Sequence, residues 1–352
     1  MRNLDRVSRP AAAPASWLSR LGPVVAVVTA ALAGVLAGLG LTAAAPVSGI
    51  AQVDTAVRVG LPLARATLDL AAVAAVGFAL FPLLAGQRAP ASAAAAFGRA
   101  RTGVAVAAVV WAVAALVSLV LQAAEYRPSA PAVSFADLRS YVATVAAGKA
   151  LLVVAGFALV QAALAVAAQR LGRRVPPELV VGCGLFALLP LPVTGHAATS
   201  HLAEYTMVLL ELHIVSAVAW TGGLAAVVVL AGRHRGLLAV ALPRFSRLAT
   251  ACLAVTVATG ALSGLVEFVQ HPTVEPWPGI VTTTYGHLLL AKIVALGAIA
   301  ALGGYTRWKL LPGVVRHRRT ALTSFALVEL AVLGLALGIA AVLTRTPLTT
   351  TT

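Results

Sequence analysis

Nine runs of this chain are apolar enough, and close enough to twenty residues long, to cross the hydrocarbon core of a bilayer as helices. They cover 21–43, 63–85, 102–124, 145–168, 178–195, 204–231, 245–268, 285–308 and 321–343. Within lipid every backbone N–H and C=O must be paired inside the protein, so runs of this length fold as an all-α, polytopic membrane helix bundle. Composition agrees. Of 352 residues 60% are hydrophobic and 11% charged, where a soluble domain carries roughly a quarter charged residues. No segment between runs exceeds about twenty-five residues, too short for a soluble catalytic domain. A water-soluble enzyme is thereby excluded. The fifth run is short, and Pro190 and Pro192 interrupt its end. The first run could be a secretory signal cleaved near Ala43-Ala44-Ala45. Its polar leader and long apolar core favour a retained helix.

Loop charge orients the bundle. The net charge is +15, from 26 Lys and Arg against 11 Asp and Glu. Segments 1–20, 86–101, 169–177, 232–247 and 307–320 hold 19 of those 26. The others are Arg58, Arg65, Arg127, Arg139, Lys149, Lys292 and Arg345. The positive-inside rule then places the N-terminus in the cytoplasm and the C-terminus outside, as an odd number of spans requires. The basic charge is thus a matter of orientation, and nucleic acid drops out as a partner. The expected organisation is a cytoplasmic leader over 1–20, helices one to four over 21–176, helices five to nine over 177–345, and a disordered Thr-rich tail over 346–352. Cys183 and Cys252 lie within apolar runs and form no disulfide framework or Cys-x-x-Cys motif. No phosphate-binding Gly-x-x-x-x-Gly-Lys-Ser/Thr loop, phosphorylation motif or Gly-x-Ser-x-Gly elbow is present. Neither ATP-driven pumping nor catalysis is expected, and no catalytic residue is assigned.

With that orientation the seven histidines sort themselves. His234 and His317 stand among arginines in basic loops and read as solvated. His196, His201, His213, His271 and His287 all fall in outer loops or the outer halves of the sixth and eighth runs. Glu204, Glu211, Glu267 and Glu275 lie on the same side. Imidazole is the commonest side-chain metal ligand and suits Cu, Zn, Ni and Fe, so the asymmetry points to an outer metal site. His213 lies about 13 Å down the sixth run from Glu204, at 1.5 Å per residue. Glu204, Met207 and Glu211 share one helical face, whereas His213 lines up with Thr206 and Trp220. Met207 is the only methionine besides the first residue, which rules out a methionine-rich Cu(I) path. The candidate ligands are His196, His201, His213, Glu204, Met207, Glu211, His287 and Glu267.

Polar residues also enter the spans. Cys252, Thr256, Thr259, Ser263 and Glu267 recur on one face of the seventh run, beside a Gly260-x-x-x-Gly264 spacing that permits close helix approach. Interhelical hydroxyl hydrogen bonds account for that stripe more simply than a conduction path. Ionisable groups cost about 2.5–3.5 kcal/mol at a span's centre and call for partners. Arg65 and Asp69 can pair at i, i+4, and Lys149 can snorkel to the interface. Lys292 calls for an anion or carboxylate. Glu329, without a charged neighbour in sequence, can pair across helices, stay protonated or relay protons. Lys292, Glu329, Thr259 and Ser263 are the expected pathway- or site-lining residues.

From residue 195 onward the chain resembles the copper resistance protein D family of bacterial membrane proteins. The residues that carry the resemblance are Gly195-His196, Glu211-Leu-His213 running into Ala219-Trp220-Thr-Gly222-Gly223, and Arg244-Phe-Ser-Arg247-Leu. Tyr285-Gly-His-Leu-Leu-Leu-Ala-Lys292 and Phe325-x-x-Val-Glu329-Leu complete the set. The resemblance implies a multi-pass protein of the bacterial plasma membrane, tied to copper uptake or tolerance and often paired with a periplasmic copper carrier. It gives His196 and His213 copper roles, and Lys292 and Glu329 structural or site-lining ones. His287 stands where many relatives carry Arg. The cytochrome oxidase assembly domain fused to some relatives is not expected here, since the chain ends after the ninth run. Copper, in either oxidation state, is the expected cargo. Two other readings use the same residues. One is a haem b electron carrier with His213 and His287 as axial ligands. The other is a copper sensor or assembly partner that moves nothing across the membrane.

Overall fold

The computed structural model describes residues 18–41, 54–86, 93–127, 132–194, 203–232, 234–270, 276–315 and 322–343. It is helical throughout, with no strand among the described residues. In chain order the helices are α1 (Leu18–Leu41), α2 (Thr55–Ala85), α3 (Ala94–Glu125), α4 (Phe135–Thr144), α5 (Ala146–Leu171) and α6 (Pro177–Leu188). They continue with α7 (Ala203–Ala226), α8 (Arg235–Gln270), α9 (Pro276–Thr282), α10 (Thr284–Tyr305), α11 (Leu311–Val315) and α12 (Leu322–Leu343). Single π-helical turns extend α7 over Val227–Ala231 and α10 over Thr306–Leu310.

Among the described residues nine helical segments are long and apolar enough to cross a membrane, and each overlaps one of the nine runs. The fifth is α6 followed by the 3-10 turn Leu191–Thr194, where the prolines end the α-helix. Helix starts differ from the apolar runs at three places. α2 begins at Thr55 rather than 63, α3 at Ala94 rather than 102, and α8 at Arg235 rather than 245. Hydropathy marks the hydrocarbon boundary, but helical hydrogen bonding continues until a cap stops it. For α2 that cap is Asp54, whose side chain accepts from the Ala56 N–H at 2.7 Å. Helix α4 is absent from the apolar runs because it is short and polar. A capping box between Ser134 and Asp137 starts it, and Arg127 pairs with Asp137.

Packing inverts the soluble pattern. On α3 the small residues Ala100, Ala108, Ala112 and Ala115 face inward with Trp111, while Val106, Val109, Val113, Leu116 and Val120 are exposed. Lipid tails are as apolar as valine, so association rests on close contact between small residues. Helix α2 is the hub. One core joins it to α3, α5 and α6, and another joins it to α7, α8, α10 and α12. Gly77 of α2 meets Gly222 of α7 backbone to backbone, and a Cβ on either would collide with the other helix. Spans α2 and α3 are antiparallel, as the Gly60–Leu121 and Gly103–Phe78 contacts register, and so are α8 and α10, through Gly264–Leu289 and Thr250–Arg307. At the basic end, Gly86 closes α2 with φ +81°. Arg244 of α8 donates to the Leu84 carbonyl there, at 3.2 Å, a cation at a helix C-terminus.

Candidate functional site

The polar stripe of α8 faces α7. His213 is half-buried, with Nδ1 3.2 Å from Thr259 Oγ1. One turn on, Ser216 Oγ lies 2.9 Å from Thr256 Oγ1. Thr259 already donates its hydroxyl proton to the Val255 carbonyl at 2.6 Å, so it accepts from His213 Nδ1–H. That assignment leaves the lone pair on Nε2, the neutral form that ligates metals. Gly260 makes room for the ring: a Cβ there would stand 3.2 Å from His213 Cε1. The Gly260-x-x-x-Gly264 spacing therefore seats side chains, His213 at one glycine and Leu289 at the other, rather than a second helix backbone. The interhelical hydroxyl bonds expected of the stripe are present, and Cys252, Thr256 and Thr259 are all buried. Ser263 Oγ is buried without a hydrogen-bond partner among the described residues.

A charge cluster adjoins this seam. Arg65 Nε pairs with Asp69 at 3.1 Å, and its Nη1 donates to Thr194 Oγ1 at 2.8 Å. Asp69 also lies within electrostatic reach of the Lys292 ammonium on α10, which acts in turn on His213. A carboxylate within electrostatic reach of Lys292 is thus Asp69, on α2, far away in sequence. Asp69 was not among the expected site residues, nor was Ser216. The i, i+4 pair with Arg65 accounts for Asp69 completely in one dimension and hides its second neighbour.

The remaining candidates are dispersed. Glu204 is exposed, and Met207 and Glu211 are partly buried on a different face of α7 from Thr206 and Ser216, both buried. His287 is exposed, with Nε2 2.9 Å from the Val281 carbonyl of α9. Glu329 is 4% exposed on α12, and no hydrogen bond or ion pair reaches its carboxyl among the described residues. His196, His201, His271 and the side chain of Glu267 lie outside the described residues. Among the described residues no three His, Cys, Asp or Glu side chains converge as metal donors.

Motif residues of the C-terminal half have visible structural work. Gly223 lies against the Phe245 ring, and Phe325 stacks on Tyr305 with centroids 4.8 Å apart. No curated protein and no solved structure matches the chain. Two family models do. Residues 53–204 match the copper resistance protein D-like N-terminal domain, and residues 239–343 match copper resistance protein D. The likeness thus reaches the helices before residue 195, where the motifs quoted above begin. Helix α7 with His213 lies between the two matched segments. With the N-terminal and C-terminal modules in order on one polytopic chain, this multi-pass plasma-membrane protein belongs to the copper resistance protein D family.

Proposed function

We propose that this protein carries copper across the plasma membrane, taking it from the outer face into the bundle through His213. The observation that supports this reading is the placement of His213. Its imidazole stands within the α7–α8 seam, its Nδ1 held by Thr259 and its ring given room by Gly260. His196 and His201, on the connection into α7, supply the outer ligands. Glu204, Met207, Glu211, Glu267 and His287 line the approach rather than the inner site. Thr259, Ser263 and Lys292 line the path around His213, with Asp69 offsetting the Lys292 charge. The histidine end faces outward by loop charge, where a periplasmic carrier can deliver the ion. An inward cation gains about 2.3 kcal/mol per charge per 100 mV, so no ATP site is needed.

The haem reading draws less support. His213 engages α8 while His287 engages α9, so the two rings have separate partners. The test is copper content and visible spectrum of the purified protein, followed by copper flux into proteoliposomes. Bound copper with potential-driven flux, both lost in His196→Ala with His213→Ala, is the expected result. A Soret band would replace this reading with haem, and binding without flux would replace it with a sensor.

A further inference from the structure

Toward the basic end of the same helices a cavity of about 470 Å³ lies between α7, α8, α10 and α12. Small-molecule sites span roughly 300–1,000 Å³. Its walls are mostly apolar, Leu253 and Ile299 among them, with the aromatic side chains of Trp220 and Phe245, both buried, contributing to the lining. It reaches the surface past Arg307 and Trp308, both exposed. Both π-helical turns border it, through Val227 and Val228 on one side and Thr306, Arg307 and Trp308 on the other. A π turn widens the helical ladder locally, and such turns concentrate at functional sites. Two polar groups on the wall lack partners among the described residues. Thr306 Oγ1 is buried with no hydrogen bond. The Glu329 carboxyl, itself 4% exposed, stands against Gly303, its Oε1 3.7 Å from where a Cβ would be.

We propose that this cavity binds a hydrophobic monovalent organic cation, with Glu329 as counter-charge and Trp220 and Phe245 as aromatic walls. A carboxylate in apolar surroundings is costly until a positive charge meets it. A metal ion does not fit the lining. Among the described residues it offers no imidazole, thiolate or thioether for copper, and too few oxygens for a hard dication. An organic ammonium or phosphonium fits, because its charge is weakly hydrated and its body matches apolar and aromatic surfaces. Arg307, whose guanidinium donates to Thr250 Oγ1, is held at the mouth rather than on the Glu329 carboxyl. Among the described residues none of the candidate copper ligands lines the cavity, and of the expected pathway-lining residues only Glu329 does.

The probe is tetraphenylphosphonium, titrated into the detergent-purified full chain by calorimetry and by quenching of tryptophan fluorescence. Saturable one-to-one binding is expected, weakened by about tenfold or more in Glu329→Gln. Ala300→Trp, which fills the cavity from its wall and leaves Glu329 in place, abolishes binding. Triphenylphosphine oxide, similar in shape and neutral, competes poorly. Elution profile and thermal unfolding report whether each variant folds, and Ala300→Trp decides alone if Glu329→Gln does not. Wild-type protein that shows no saturable binding overturns the proposal. So does binding that neither variant alters, which is partition into the micelle, or equal competition by the neutral analogue.

Discussion

At the scale of single residues, the seam between α7 and α8 depends on which atoms face which. Asp69 pairs with Arg65 and lies within electrostatic reach of Lys292, and the Arg65–Asp69 side chains are each 15% exposed. Removing one partner of a buried charge cluster costs about 3–5 kcal/mol, because the other charge is left without compensation. Asp69→Asn should therefore lower the thermal unfolding midpoint clearly in detergent, and Lys292→Met in that background should recover part of it. An unchanged midpoint would mean the cluster contributes nothing to stability. Gly260→Ala puts a methyl 3.2 Å from His213 Cε1 and forces the ring to shift. Copper binding should weaken by about tenfold, whereas Gly264→Ala, which meets only Leu289 at 3.8 Å, should bind normally. Titration of both variants checks this. Helical periodicity alone made part of this site legible. It grouped His213 with Thr206 and Trp220, and it aligned the stripe from Cys252 to Ser263. The link from Lys292 to Asp69 was not legible, since two charges on separate helices share no period.

Among whole elements, small-residue seams decide which helices meet. Gly34 and Gly38 of α1 stand four apart, as do Gly334 and Gly338 of α12, and the two pairs interlock. A Cβ at Gly34 would come 2.5 Å from the Leu335 carbonyl, and one at Gly338 would collide with the Ala31 carbonyl. The register, 27 beside 334 and 38 beside 342, makes α1 and α12 parallel neighbours at opposite ends of the chain. Overpacking a close seam costs about 1–3 kcal/mol. Gly338→Leu should lower thermal stability by that order, and Gly40→Leu should not, because nothing lies within 4 Å of Gly40. Equal stability of the two variants would show that the seam does not hold α1 in place. Sequence spacing drew attention instead to Gly260 and Gly264. The motif is the same in both places, and only the neighbour distinguishes a backbone seam from a socket for an imidazole.

For the whole molecule, loop charge makes one global prediction. Alkaline phosphatase, active only outside the cytoplasm, should be active when fused after Thr352 and inactive when fused within 86–101. The reverse pattern would turn the histidine end inward and remove the proposed outer capture of copper. By itself the sequence determined the solvent, the nine spans, their expected orientation and the asymmetric placement of His and Glu. Each of these is a sum over local terms: transfer of side chains into lipid, backbone pairing within a helix, and charge counted loop by loop. Only the tertiary structure decided that Asp69 comes within electrostatic reach of Lys292, that α1 closes on α12, and that Glu329 borders a cavity beside two π turns. Those are contacts between helices far apart in the chain. Lipid makes every outward apolar face nearly equivalent, so pairing is settled by small residues and hydroxyls whose effect exists only once two particular helices meet.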